Sequence, residues 1–405
     1  MYAQEKELAG MIAGQCKDMT EVQEMIKNIF KESLESMLQG EMDEYLGYEK
    51  SESIGKNSGN SRNGYNRKKL QSEFGEVELN TPRDRNGDFE PKVIGKYQTK
   101  TENLEERVIA MYAKGMSTRD IEDHLRDIYG VEASAGLISR ITDKILPAVM
   151  EWQSRPLESI YPVVYFDGIM FKVRKDGKII NKCVYTVLGI DMTGRKDILG
   201  LWVSDTESAA FWTTVCNELK NRGVTDILIA CHDNLNELSR AVNTVFPKTE
   251  QQLCIIHQIR NSTRYVTHKD IKAVLADLKK VYTAPTLDDA EYRLEEFKEK
   301  WDGKYPQIGK SWDDNWAELS TFFKYPEEVR KLIYTTNAVE GFHRMLRKFT
   351  KTKTIYPTDD ALRKSVYLSI QEITKKWSMP VHNWGIIMGQ LIIFFPDRFD
   401  KNVAS

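Results

Sequence analysis

The sequence predicts an α/β core built on a mixed five-stranded sheet, with helical segments before it, inside it and after it. Three observations carry this. Residues 161–256 hold short apolar, β-rich runs separated by turn signals and two helical stretches. On either side of that block the apolar residues recur at helical spacing. From about Ile259 to Glu328 the chain is charged, helical and Trp-rich, and no further strand pattern follows.

The chain has 405 residues, enough for two or three domains of roughly 100–200 residues each. Residues 1–50 read as amphipathic helix, with Met25, Ile29, Leu34, Met37 and Leu38 on the apolar spacing. "KSESIGKNSGNSRNGYNRK" (50–68) is rich in Ser, Gly and Asn, which is loop chemistry. "FGEVELNTPRDRNGDFEP" (74–91) alternates around a Pro and an Asn-Gly, predicting short strands with a turn. Three helical stretches follow, broken at Gly115 and Gly130, and Ser117-x-x-Asp120 has the spacing of a capping box. Helix, short turn, helix is the helix-turn-helix pattern. It would place Ser139 and Arg140 of the last helix in a DNA groove, while a plain three-helix bundle has the same spacing.

In the central block, "YPVVYFDGIMFKVR" and "KIINKCVYTVLGID" are joined by an Asp-Gly hairpin signal, and "KDILGLWVS" makes a third strand. A helix, the buried strand "DILIACHD", another helix and "QQLCIIH" complete the order β-β-β-α-β-α-β. An antiparallel three-stranded start followed by parallel crossovers is the RNase H-like arrangement. The domain boundaries that follow are 1–100 for a helical and basic region, 101–155 for the helix-turn-helix, 156–258 for the first part of the core, 259–330 for an all-α insertion and 331–405 for the closing helices.

Charge narrows the function. The net charge is -2, which by itself does not mark a nucleic-acid binder. The charges are nevertheless partitioned. "SRNGYNRKKL" (61–70), with Arg62, Arg67, Lys68 and Lys69, contains no acid, and neither does "HRMLRKFTKTKT" (343–354). The five cysteines are scattered with no CxxC pair, which disfavours a zinc ribbon and suits a reducing cytoplasm. The opening "MYAQEKELAG" lacks a cationic-then-apolar signal pattern, and no apolar run reaches the roughly 20 residues of a membrane span.

Two acids are placed by the predicted sheet. Asp167 lies inside the first apolar strand, where an acid is costly unless exposed, paired or bound to a metal. Gly168 beside it leaves room for a close approach. Asp233 ends the fourth strand, and carboxyl ends of parallel strands are where ligands bind. Asp233 could equally cap the next helix. In this topology strands one and four are neighbours, so the two carboxylates meet. Mutual repulsion raises both pKa values, and a hard divalent cation, Mg²⁺ or Mn²⁺, removes the penalty. Two such ions about 3.5–4 Å apart would serve phosphodiester chemistry, with Glu340 as the third acid.

By spacing alone, Asn337 and Glu340 fit a capping box. Glu340, Arg344, Arg347, Lys348 and Lys351 also share one helical face, opposite Phe342, Leu346 and Phe349. An acid heading a cationic stripe has the look of a metal ligand with a phosphate track beyond it. Cys254-x-x-His257 supplies only two zinc ligands. A composite site with Cys231 and His232 is the alternative to a role for His257 near a scissile phosphate.

These motifs, from "RNGYNRKKL" and "TPRDRNG" through "MYAKGMSTRDI", "YFDGIMFKVR", "LGLWVSDTESAAFW", "ELKNRGVTDILIAC" and "CIIHQIRNSTRYV" to "FFKYPEEVRKLIYTTNAVEGFHRMLRKFTKTK", run in order over nearly the whole chain. The chain resembles the mutator-type bacterial insertion-sequence transposases, which carry a DDE triad on an RNase H-like core. The resemblance implies that Asp167, Asp233 and Glu340 are catalytic and metal-binding, and that Cys254 and His257 are the family's C-x-x-H pair. It implies an all-α insertion before Glu340 and N-terminal binding to terminal inverted repeats. The reaction implied is hydrolysis at the element's end, then attack of the freed 3′-OH on another phosphodiester, by a copy-out, paste-in route in most members. The partners implied are double-stranded DNA and further copies of the chain, as a dimer or larger, in the cytoplasm at the nucleoid. His232, Glu237 (usually Gly) and His343 (commonly Asn) depart from the pattern. The alternatives are a catalytically inactive DNA-binding relic or repressor, which the intact triad argues against, and another RNase H-like nuclease.

Overall fold

The computed structural model describes residues 2–52, 59–72, 74–129, 131–234, 236–264, 266–334 and 337–399. The chain divides into two compact units, Met1–Lys144 and Ile145–Ser405.

The first unit opens with α1 (Tyr2–Gln15) and α2 (Met19–Leu46). Asp18 caps α2 by accepting from the N–H groups of Thr20 and Glu21, and Gly47 ends it at φ 76°. The buried side of α2 carries Leu38 and Met42, with Phe30 and Leu34 packed on the strands that follow. Met37, expected on the apolar face, is 53% exposed. β1 (Arg62–Ser72) and β2 (Gly75–Asp84) form an antiparallel hairpin. Residues 62–68 of the stretch read as loop are therefore strand. Its outward residues are polar and basic, and only Leu70 and Ser72 are buried, so no alternation marks it. The hairpin turns between Ser72 and Gly75, and Asn86-Gly87 lies beyond β2.

α3 (Glu102–Ala113), α4 (Thr118–Tyr129) and α5 (Ala135–Asp143) are the three expected helices. Gly115 takes φ 97° after α3. The capping box is reciprocal: Asp120 N–H donates to Ser117 Oγ (3.2 Å) and Ser117 N–H to Asp120 Oδ2 (3.0 Å). Gly130 lies outside the described residues.

The second unit begins with α6 (Leu146–Ser154), so the boundary falls after Lys144 and not at the expected 155. Then come β3 (Ile160–Lys175), β4 (Lys178–Ile190), β5 (Lys196–Ser204), α7 (Ala209–Asn221), β6 (Asp226–His232), α8 (Asn236–Val245) and β7 (Glu250–Leu253). The sheet order is β5-β4-β3-β6-β7, antiparallel among the first three and parallel from β3 to β6 and β7. This is the mixed sheet expected. Asp176 (φ 50°) and Gly177 (φ 75°) make the tight turn between β3 and β4.

Period-two alternation sorts β3 between two cores. Tyr161, Val164 and Phe166 face α7 and α8, against Trp212, Val215, Leu219, Leu238 and Val242. Val163, Tyr165 and Ile169 face a second core shared with the helices that follow the sheet. Those are α9 (Ile255–Thr263), α10 (His268–Tyr282), α11 (Leu287–Trp301), α12 (Pro306–Asp314), the single turn α13 (Trp316–Leu319), α14 (Glu327–Ile333), α15 (Asn337–Thr350), α16 (Asp359–Thr374) and α17 (Trp384–Phe394). Trp301 and Trp312 are buried in this core. No helix among the described residues is long and apolar enough to cross a membrane.

Candidate active site

Asp167 follows the alternation onto the face of β3 that carries Val163 and Tyr165, and α15 packs against that strand. It pairs with Thr186 across β4. On its other side the parallel register sets Phe166 against His232. One residue further along both chains are Asp167 and Asp233, brought side by side where β6 ends. Asp167 is 7% exposed, and its Oδ1 accepts from the Gly168 N–H (2.7 Å). Asp233 is partly exposed, yet its Oδ1 is enclosed with no hydrogen-bond partner.

The electrostatics follow from that placement. Burial pushes the Asp167 carboxyl up to about 7, and the negative charge of Glu340 adds to it, against the opposing effects of Gly168, Arg260 and Arg347. Burial also pushes Asp233 up to about 7, with Asp167 and then Glu207 adding. On top of burial, Glu340 thus discourages ionisation of Asp167, and Asp167 that of Asp233.

Glu340 enters from the first turn of α15. The Asn337 side chain, its expected capping partner, lies outside the described residues. The Glu340 carboxylate instead takes a hydrogen bond from Arg260 Nη2 of α9 (2.6 Å). Among the described residues no three His, Cys, Asp or Glu side chains converge closely enough to hold a metal ion.

Two histidines border the acids. His343 is buried between β3 and β4 partners, its Nδ1 3.4 Å from Asp167 Oδ2 and its Nε2 3.2 Å from Thr186 Oγ1. Burial, then Arg347 and His257, lower it to about 4. His257 is also lowered, first by burial and then by Arg260, and its Nδ1 is enclosed without a partner.

The comparisons decide the family. The family described as "Transposase, Mutator family" matches residues 2–380. The chain belongs to the Mutator family of transposases. It is 42% identical over 400 residues to a probable transposase for the insertion sequence element ISRM3-like of Sinorhizobium fredii, covering 98% of this chain and 99% of that one. It is 40% identical, over the same shares, to the transposase for insertion sequence element ISRM3 of Rhizobium meliloti. Among solved structures, it is loosely similar to the Drosophila P element transposase strand transfer complex, at a TM-score of 0.37 and 10% identity over 68% of this chain and 92% of that one.

The transposase keeps some of the expected basic residues free and uses others internally. On α15, Arg344, Arg347 and Lys348 are exposed, as is Lys351 just beyond it, while Val339, Phe342 and Leu346 are buried. On α5, Arg140 is exposed and Ser139 partly so. In the hairpin the acid-free run acquires acids across the strands. Lys69 meets Glu76 (2.7 Å) and Arg67 comes within 3.9 Å of Glu78. Lys68 donates to the carbonyls of Gly95 (2.6 Å) and Lys96 (3.2 Å), and burial lowers its pKa. Arg62 is locked: it pairs with Asp43, donates to the Tyr48 carbonyl (2.7 Å) and lies over the Tyr48 ring (4.7 Å).

Around Cys254 and His257 no third His, Cys, Asp or Glu completes a metal-binding set among the described residues. His232 is fully buried and both ring nitrogens are engaged, with the Asp233 carbonyl (2.7 Å) and Gln251 Oε1 (2.9 Å). Cys254 is buried and its N–H donates to the His232 carbonyl (2.7 Å), tying the end of β6 to the start of α9. Glu237 sits 3.7 Å from Arg240 on α8, a surface pair, and is not among the groups that shift Asp233. The close approach that Gly168 allows is made by the protein itself. A Cβ there would lie 2.5 Å from Cys183 Sγ, so packing between β3 and β4 demands glycine. Sequence reading passed over Arg260 and Glu207. The first lies three residues past His257 on α9, a spacing that would have marked it.

Proposed function

We propose that the chain is the transposase of an insertion sequence that cleaves and joins DNA through Asp167, Asp233 and Glu340. The observation that supports this best is the β3–β6 register, which sets buried Asp167 beside partly exposed Asp233, one of whose oxygens is unpartnered. The donor set fits a hard divalent cation: carboxylate oxygens, two of them lifted to about 7 by burial and by neighbouring acids. Asp167 and Asp233 would hold Mg²⁺ or Mn²⁺, with Glu340 joining once it leaves Arg260, and two ions are the expected complement. Such ions would acidify an attacking water or 3′-hydroxyl and stabilise the leaving oxygen.

The chain's own residues do the rest. His343 and Thr186 back the Asp167 carboxyl and keep its carboxylate facing the site. Arg344, Arg347, Lys348 and Lys351 offer a track for the DNA backbone leading away from Glu340. Helices α3–α5 act as a helix-turn-helix on the terminal inverted repeats, with Ser139 and Arg140 toward the groove. Helices α10–α13 form the all-α insertion. Two element ends must be joined, so the working form is a dimer or larger on double-stranded DNA, at the nucleoid in the cytoplasm.

The test is cleavage of a duplex carrying the inverted repeats that border the reading frame, in Mg²⁺. Wild-type protein should nick it, and Glu340→Gln should bind the ends yet lose cleavage by at least a hundredfold or so, because an amide ligates Mg²⁺ poorly. A Glu340→Gln protein with full activity would make Glu340 a cap after all. Wild-type protein that binds the ends but never nicks them would be an inactive relic.

A further inference from the structure

Arg260 stands apart from the roles assigned above. It sits on α9, three residues beyond His257, and its guanidinium reaches a partner eighty positions away, Glu340 Oε1. The contact is 2.6 Å long, between an Arg side chain 60% exposed and a Glu side chain only 24% exposed. The same cation also favours the ionised form of Asp167. One guanidinium thus supplies positive charge to two of the three acids, which is the electrostatic task of a divalent ion at such a site. An exposed pair of this kind contributes little to stability. Arg264, which caps the C-terminal end of α9, is exposed too.

We propose that Arg260 is the stand-in for the divalent cation: in metal-free protein it holds Glu340, and loading the site exchanges guanidinium for metal at that carboxylate. Once released, Arg260 takes a non-bridging oxygen of the DNA phosphate, a geometry its planar fork suits. No bond is made or broken in the exchange. The inference rests on the reading of Asp167, Asp233 and Glu340 as metal ligands.

Its test reads metal binding directly, without DNA and without turnover. Free Mn²⁺ is followed by its paramagnetic resonance signal in titrations of the full-length protein. Arg260→Gln removes the competitor and should bind Mn²⁺ roughly three- to tenfold tighter than wild type. Arg260→Lys keeps the charge and should stay within about twofold. In Ca²⁺, binding of Arg260→Gln to random-sequence duplex DNA should lose about one unit of salt slope. Arg260→Gln binding Mn²⁺ no tighter, or more weakly, than wild type overturns the proposal and leaves Arg260 a tie between α9 and α15. Asp167→Asn separates the two levels. If that variant binds Mn²⁺ as wild type does, the metal reading itself fails, whatever Arg260 does.

Discussion

His343 Nδ1 lies 3.4 Å from Asp167 Oδ2, and the two are not an ion pair. Burial holds the imidazole near 4, so it is neutral through the range in which Asp167 titrates. The ring is a packed, uncharged spacer anchored at its far side on Thr186 Oγ1. His343→Asn keeps a polar group of smaller size there. It should fold normally and cleave with a pH profile superimposable on wild type above pH 5. His343→Ala leaves the Thr186 hydroxyl unpartnered beside a cavity and should lose about 1–3 kcal/mol of stability by urea unfolding. A profile for His343→Asn displaced along the pH axis would mean that the imidazole titrates in the reaction.

The two lifted aspartates make the metal-free protein sensitive to pH in a defined direction. Their folded pKa values, about 7, lie above the ordinary carboxylate value, so the folded state binds more protons between the two. Stability from these groups is fully present below the ordinary value and is lost as pH rises through about 7. Asp167→Asn removes one charge and eases the other. It should raise the melting temperature of metal-free protein at pH 8, equivalent to about 1–3 kcal/mol, and by much less at pH 5. Mg²⁺ should stabilise wild type more at pH 8 than at pH 5.5, because protons compete for the same oxygens. Equal melting shifts at the two pH values would show that the aspartates do not titrate where their burial puts them.

How much of this the sequence disclosed depends on how local each signal is. Asp167 was legible because an acid inside an apolar strand has few explanations. The β3–β6 adjacency followed from topology, so Asp233 could be set beside it before any coordinates. Glu340 stood out through the stripe behind it, a feature of one helix. Arg260 is different, since its meaning lies in a contact eighty positions away and its own segment gives only an exposed cation. β1 was hidden for another reason: a strand with one wet face and a polar, basic surface has the composition of a loop. Its partner β2 alternates buried and exposed residues along much of its length and was read correctly as strand.

The hairpin also separates residues that the sequence groups together. Arg62 and Arg67 look equivalent in "RNGYNRKKL", but Arg62 is half-buried against Asp43 and Tyr48 while the Arg67 side chain is 83% exposed. Arg62→Ala should therefore cost about 1–3 kcal/mol of stability, as Asp43 loses its cation and keeps only the bond from Gln39 Nε2 (2.8 Å). Arg67→Ala should leave stability within about 0.5 kcal/mol and, if the hairpin touches DNA, reduce the salt slope of binding by about one. Urea unfolding and salt-dependent gel shifts on the same two variants distinguish the roles. An Arg62→Ala protein as stable as wild type would remove the structural assignment.

Gly168 offers the sharpest check on how the sheet presents Asp167. The next position along β3 points to the opposite face, where Cys183 Sγ and the Tyr185 ring already fill the space a Cβ would need, at 2.5 and 3.1 Å. The sulfur belongs to the neighbouring strand β4, and the Tyr185 ring on the same face packs on Trp212, with centroids 4.9 Å apart. Gly168→Ala should thus push β3 and β4 apart locally and cost about 1–3 kcal/mol. The displaced strand carries Asp167 with it, so cleavage should fall further than stability does. Cys183→Ala in the same chain removes the closer clash and should restore part of both, a positive coupling between the two positions. Gly168→Ala with full stability and full cleavage would mean that β3 has the slack to accept a side chain there, and that the position of Asp167 is set by α15 instead of by the sheet.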